Sequence, residues 1–277
     1  MLLRALASVP LLISLACQST PANSTSTEAG LCGGPIRGLA PLINSGAMLL
    51  FGEFHGTNEA PRFVTDVACR AALAGHRVQL GLEISISQQQ AIDEFMISEA
   101  PHEQRKHLLD GHFDVEFFDG RESVAMLELF ERIRQLRREH LKIEVFGFSW
   151  GKGQSPSLPG DQDMFENVDA RYRSAQPSDI FIILGGGAHT RRHEDSLGGA
   201  LARAGYSLIS LGLTHAGGTF WGCSGGCGEH RTSGKDEGQQ RFIALRPTFA
   251  GKYDGVYYPG RVSASPPAVS PKPSALH

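Results

Sequence analysis

The chain has 277 residues, 41% of them hydrophobic, with 26 basic side chains against 29 acidic ones. Such a length and apolar content suffice for one large or two small domains with a buried core. The slightly negative balance excludes a nucleic-acid surface built on net positive charge.

Residues 1–17 are set aside as a secretory signal. Arg4 precedes the apolar run LASVPLLISLA, which is too short to span a bilayer and stands where such a signal belongs. The run closes on Cys17 in the sequence SLAC, which resembles the lipobox of bacterial lipoproteins, with Ser14 in the place usually held by leucine. An exported protein is expected, either periplasmic or secreted, or held to a membrane by covalent lipid on Cys17. Residues 18–44 read as tether and lead-in, and 18–30 (QSTPANSTSTEAG) are small and polar like a flexible linker. Residues 45–261 read as a single α/β domain. Residues 262–277 (VSASPPAVSPKPSALH) are Pro- and Ser-rich and are expected to be disordered.

Within the domain, short apolar runs alternate with helical patterns. Strands are predicted at 47–54, 77–84, 142–148, 179–187, 206–213 and 241–246. Helices are predicted at about 58–74, 87–110 with a break at Pro101, 120–140, 162–175 and 195–204. Several strands are continuous apolar runs, the pattern of a sheet covered on both faces. In the helix at 120–140, Met126, Leu129, Phe130, Ile133 and Leu136 recur at intervals of three and four, giving one buried stripe and one charged face. The fold class read from this alternation is α/β, with a mostly parallel central sheet, helices on both faces and a helical insert at about 87–140.

Cys32, Cys69, Cys223 and Cys227 are enough for two disulfides in an oxidising compartment. The spacing of CSGGC favours a local Cys223–Cys227 bridge; a zinc site with His215 or His230 is the alternative, and it lacks a second closely spaced pair. Cys69 lies on a helical face and reads as a small buried hydrophobe.

Three strands end in ionisable residues at the carboxyl end. LLFGEFHG delivers Glu53 and His55, QLGLEIS delivers Glu83, and FIILGGGAHTRR delivers His189. In a parallel sheet these ends share one edge, where ligands bind, so groups far apart in sequence meet there. Glu53 and His55, two apart, are expected on one face of an extended chain, with Phe54 turned the other way into the packing. Taken singly, each histidine is an ordinary hydrogen-bonding group near a turn and Glu83 a capping carboxylate. Together they compose a candidate site. His193 competes for the role of His189, and His189 with His193 has the i, i+4 spacing of a metal pair. Arg191 and Arg192 between them suit either an anionic substrate group or a solvated turn. His215 is a rim residue.

The ordered set GEFHG, LE and GGGAH resembles the erythromycin esterase, haem-binding ChaN and Tiki/TraB superfamily. FFDGRESVAMLELFERIRQLR followed by DQDMFENV is similar to the helical insert and next helix of its esterase-like members, so the resemblance covers about residues 45–215. It implies a hydrolase whose Glu/His cleft activates water, with Glu53, His55, Glu83 and His189 as the catalytic set. A divalent metal held by His55, Glu83 and His189 is a variant of the same reading. The substrate is then a small molecule or a peptide, since branches of the superfamily act on lactones, peptides or haem. The rival reading is a non-catalytic haem-binding surface lipoprotein. It needs an axial ligand, for which Tyr253, Tyr257 and Tyr258 are the clustered candidates. An inactive scaffold stands behind both. No G-x-S-x-G elbow supports a serine nucleophile, and nothing in the sequence assigns an oligomeric state.

Overall fold

The computed structural model describes residues 30–111, 120–150, 161–223, 226–248 and 251–269. The signal segment, Cys17 and residues 18–29 of the tether lie outside them.

Nine strands occur among the described residues: β1 (Met48–Glu53), β2 (Val78–Ser85), β3 (Ile143–Ser149), β4 (Ile180–Gly186), β5 (Leu208–Leu213), β6 (Gly218–Cys223), β7 (Cys227–Thr232), β8 (Phe242–Thr248) and β9 (Tyr253–Tyr258). Seven form the central sheet in the order β3-β2-β4-β1-β5-β9-β8, while β6 and β7 pair as a separate antiparallel hairpin. All ladders of the sheet are parallel except β8 with β9. The sheet is the mostly parallel one expected from the apolar runs.

The alternation of β1 shows why those runs are unbroken. Leu49 and Phe51 enter a core with Phe63 and Val67 of α1 (Glu59–Leu73), Phe95 of α2 (Gln89–Ile97) and Phe130 and Ile133 of α4 (Val124–Arg138). Between α2 and α4 runs α3 (Pro101–Gly111), so Pro101 opens a new helix, where its missing N–H costs nothing. On the other face Met48 and Leu50 meet Met164 and Val168 of α5 (Gln162–Ser174). Beyond the short turn α6 (Gly187–Thr190), Leu197 and Leu201 of α7 (Leu197–Arg203) complete that second core. Both faces of the sheet are therefore covered by helices. The stripe read from sequence at Met126, Leu129, Phe130, Ile133 and Leu136 is the buried face of α4.

Three expectations are corrected. Cys69 is buried but is not a free thiol: it is bonded to Cys32, which ties the lead-in to α1. A second disulfide joins Cys223 to Cys227 across the end of the hairpin, as the spacing suggested. The segment at 253–258, read only for its tyrosines, is an interior strand between β5 and β8. Its Asp-Gly pair looks like a turn, yet at Gly255 an added Cβ would lie 2.5 Å from the Ala244 carbonyl oxygen of β8, so glycine serves close strand approach there.

The third correction concerns the Pro/Ser tail. Residues 262–269 form a strap across the carboxyl edge of the sheet, and residues 270–277 lie outside the described residues. The Val262 carbonyl accepts from Thr219 N–H at 3.0 Å, the Ser263 carbonyl from Asn58 N–H at 3.0 Å, and Ser265 N–H donates to the Gly56 carbonyl at 2.8 Å. At the start of α4, the Pro266 carbonyl accepts from Val124 N–H at 2.9 Å and Ser265 Oγ accepts from Ala125 N–H at 2.9 Å. The strap thus satisfies helix-start donors that have no partner within the helix.

Candidate active site

β1, β2 and β4 deliver their last residues to one edge. The ladder pairs Glu53 with Gly186, and the Gly186 N–H donates to Glu83 Oε2 at 2.7 Å, so the ends of three strands are tied together. Tyr257 reaches from β9 and donates its hydroxyl to the Gly52 carbonyl at 3.0 Å, fixing the strand end just before Glu53. After Glu53 the chain leaves the sheet and turns at Gly56, whose φ of 72° favours glycine and whose added Cβ would lie 2.2 Å from the Trp221 carbonyl oxygen. Gly186 is constrained differently: a Cβ there would lie 2.9 Å from His55 Nε2.

The structure brings all four predicted residues together and adds two. His55 Nδ1 lies 3.1 Å from Glu53 Oε1. An ionised carboxylate only accepts, so Nδ1 carries the hydrogen and Nε2 is turned inward. His55 Nε2 lies 3.7 Å from Glu83 Oε2. On the opposite side His189 Nε2 lies 3.6 Å from Glu83 Oε1, while its Nδ1 lies 2.8 Å from Asp161 Oδ2. Arg121 reaches Glu83 Oε1 at 3.4 Å. Two carboxylate-oriented imidazoles thus face one central carboxylate, and neither Nε2 makes a direct hydrogen bond to it at these distances. Both Nε2 atoms lie on the side of the rings that faces Glu83.

Glu53 and Glu83 are buried, which is costly for a charged carboxylate unless it is paired. The imidazoles, Arg121 and the Gly186 N–H supply that pairing. For His189, burial by itself favours the neutral ring. The hydrogen bond to Asp161 and the charges of Glu83 and Asp161 outweigh it and raise the pKa above that of an ordinary histidine, against the opposing charge of His55. Trp150 packs edge-on to the His189 ring, with centroids 6.4 Å apart.

Asp161 and Arg121 are the residues that sequence reasoning missed. Asp161 precedes α5 and looks like a helix cap, yet its side chain makes no capping bond to that helix; it accepts from His189 and from Leu197 N–H at the start of α7. Its one sequence signal is its place at the start of DQDMFENV. Arg121 stands just before α4, far from any strand end.

Other expectations change. Phe54 is 51% exposed and does not enter the core, because it lies past the last ladder pair of β1; it stacks on Phe220 of the hairpin and meets His215 edge-on. His193 takes no part in the site. α6 ends at Thr190, so no helix carries His189 and His193 together, and the His193 backbone and ring serve the turn to Ser196. His215 lines the cleft as expected, although buried, and burial lowers its pKa.

The metal and haem readings fit poorly. Among the described residues no group of three or more His, Cys, Asp or Glu side chains is arranged to hold a metal ion. In the set His55, Glu83 and His189, the carboxylate oxygens already face the Gly186 N–H and the Arg121 guanidinium. Tyr257 and Tyr258 are buried in the sheet and bonded internally, and the Tyr253 hydroxyl, which does border the cleft, donates to the Gly187 carbonyl at 2.6 Å. None is placed as an axial haem ligand.

The Glu/His group opens into a cleft of about 970 Å³. Phe54, Trp150 and Leu213 give it apolar walls, and Arg191, Lys235 and Lys252 stand along it.

No protein-family model matches the sequence, and no curated protein matches it as a relative. Among solved structures, a Bacillus cereus protein matches with a TM-score of 0.57 at 12% identity, covering 83% of this chain and 92% of its own. A succinoglycan biosynthesis protein matches with a TM-score of 0.51 at 10% identity, covering 85% and 93%. The fold is shared. A mutant erythromycin esterase in an open conformation also matches, with a TM-score of 0.46 at 14% identity, covering 84% of this chain and 79% of its own. At such identities the common element is backbone architecture, on which many chemistries occur.

Proposed function

We propose that this protein is an exported hydrolase of carboxylic esters or lactones in which a histidine–carboxylate centre activates water. The observation that carries the reading is the pair of oriented imidazoles, Glu53–His55 and Asp161–His189, converging on Glu83 at the mouth of a partly apolar cleft. Two disulfides accord with an oxidising compartment, and no helix among the described residues is long and apolar enough to cross a membrane. Lipid attachment at Cys17 belongs to the same proposal.

In this mechanism His55 Nε2 takes a proton from water as the water oxygen bonds to the carbonyl carbon, and Glu53 steadies the imidazolium that forms. His189, whose pKa Asp161 and Glu83 raise, donates a hydrogen bond from Nε2 to the carbonyl oxygen as it gains negative charge and keeps its proton throughout. When the tetrahedral intermediate collapses, the bond to the leaving oxygen breaks and that oxygen takes the proton from His55. Glu83, anchored by Gly186 and Arg121, sets a negative charge between the two rings that Glu53 and Asp161 orient. The four cysteines of the described residues are all in disulfides and supply no thiolate nucleophile.

The test is acid release from a panel of lactones and simple esters by the purified full chain and by His55→Ala. Turnover by the parent and its loss in the variant, at an unchanged melting temperature, supports the reading. Equal turnover by both proteins removes His55 from the chemistry and overturns it.

A further inference from the structure

Arg191 and Arg192 are adjacent and have different employment. Arg192 is structural: its side chain pairs with Asp254 at 2.7 Å and bonds the Leu208 carbonyl, and its N–H donates to the Lys252 carbonyl at 2.7 Å. This backbone bond, with the bond from the Tyr253 hydroxyl to the Gly187 carbonyl, stitches the loop carrying His189 to the loop carrying Lys252. Arg191 borders the cleft, makes no ion pair among the described residues, and keeps its enclosed Nε without a hydrogen-bond acceptor. Lys235 and Lys252 border the same cleft and likewise form no ion pair there. The one acid on that stretch of rim, Glu237, is taken by Arg246.

Three uncompensated cations along one cleft, beyond a Glu/His centre whose charges are mutually paired, describe a receptor for negative charge. From these observations we infer that the substrate is anionic: an ester or lactone bearing a carboxylate or phosphate group, which Arg191 and Lys252 bind while Phe54 and Trp150 contact its apolar part. The inference rests on the hydrolase reading for the word ester. The anion site itself does not depend on it.

Two measurements separate the two. The first compares kcat/KM for para-nitrophenyl hydrogen glutarate with that for para-nitrophenyl pentanoate, in the purified parent protein and in Arg191→Gln and Lys252→Gln. The parent prefers the anionic ester, and each variant lowers the ratio of the two values by about tenfold, the scale of one charge-assisted hydrogen bond. The second is calorimetric binding of hydrocinnamate, phenylphosphonate and neutral hydrocinnamamide, which needs no turnover. Either anion binding at least about tenfold more tightly than the amide, with the advantage lost in Arg191→Gln, supports the site, and their order tells carboxylate from phosphate. Anions that bind no better than the amide overturn it, whether or not esters are cleaved. Anion binding without turnover of any ester overturns the hydrolase and leaves the anion site standing.

Discussion

Asp161 Oδ2 lies 2.8 Å from His189 Nδ1, joining the residue before α5 to the turn after β4 across a gap of 28 positions in sequence. The contact fixes the ring so that Nε2 faces Glu83, and it favours the imidazolium. Asp161→Asn keeps the size of the side chain and removes its charge. The His189 pKa then falls toward the ordinary value of about 6.5, which a ring-proton NMR titration reads directly. A pKa that stays in place shows that Asp161 does not set the charge of His189.

The same contact makes stability depend on pH. Because the folded-state pKa of His189 is raised, its contribution is complete below an unfolded pKa of about 6.5 and is lost as pH rises through the folded value. The melting-temperature gap between the parent and His189→Gln is therefore wider at about pH 6 than at about pH 9. A gap that widens with rising pH contradicts the assignment.

Glu53 accepts from His55 and borders the cleft from a more buried position than the imidazole it orients. Glu53→Gln weakens the orientation of the ring and the stabilisation of its charged form, and kcat falls by about a hundredfold on any ester the parent cleaves. KM moves little, since Glu53 acts through His55. A change confined to KM places Glu53 in substrate binding instead.

Tyr257 packs against Phe51 with ring centroids 5.2 Å apart and donates to the Gly52 carbonyl. Tyr257→Phe retains the packing and leaves that carbonyl without its partner in the interior. A loss of about 1–2 kcal/mol in urea unfolding is expected. No loss would mean that the carbonyl finds another donor.

Ser265 Oγ accepts from Ala125 N–H, and Ser265 N–H donates to the Gly56 carbonyl, so one buried residue links α4 to the turn after His55. Ser265→Ala removes only the first link and costs about 1 kcal/mol, the usual value of a helix-start acceptor. Thermal unfolding of this variant, compared with an alanine substitution at exposed Ser207, isolates the effect.

Much of this was legible in the sequence because of where carboxyl ends of parallel strands must lie. Glu53, His55, Glu83 and His189 each follow an apolar run and need no distant pairing to be noticed. Asp161 carries no such mark: an aspartate before a helix reads as a cap, and only the packing of α5 and α7 beside β4 turns it onto His189. The count of four cysteines allowed a bridge to Cys32, but nothing local marked Cys69 as its partner, because Cys32 lies in a lead-in without periodicity. Residues 262–269 were misread for another reason. Composition reports which side chains have something to bury, whereas this segment is held chiefly through its backbone amides and carbonyls.

That strap also sets an order of events for a chain that emerges amino end first. β1 and the turn at His55 appear early, yet the Asn58 side chain next to that turn finds its acceptor, the Ala264 carbonyl, 206 positions later, and the start of α4 beside Arg121 waits for the same stretch. Contacts so distant in sequence form late in folding. A chain whose last residues have not yet emerged holds Glu53, His55 and Glu83 but lacks the strap that clasps the turn after His55. The Glu/His centre is therefore framed on every side only once nearly the whole chain is free to fold.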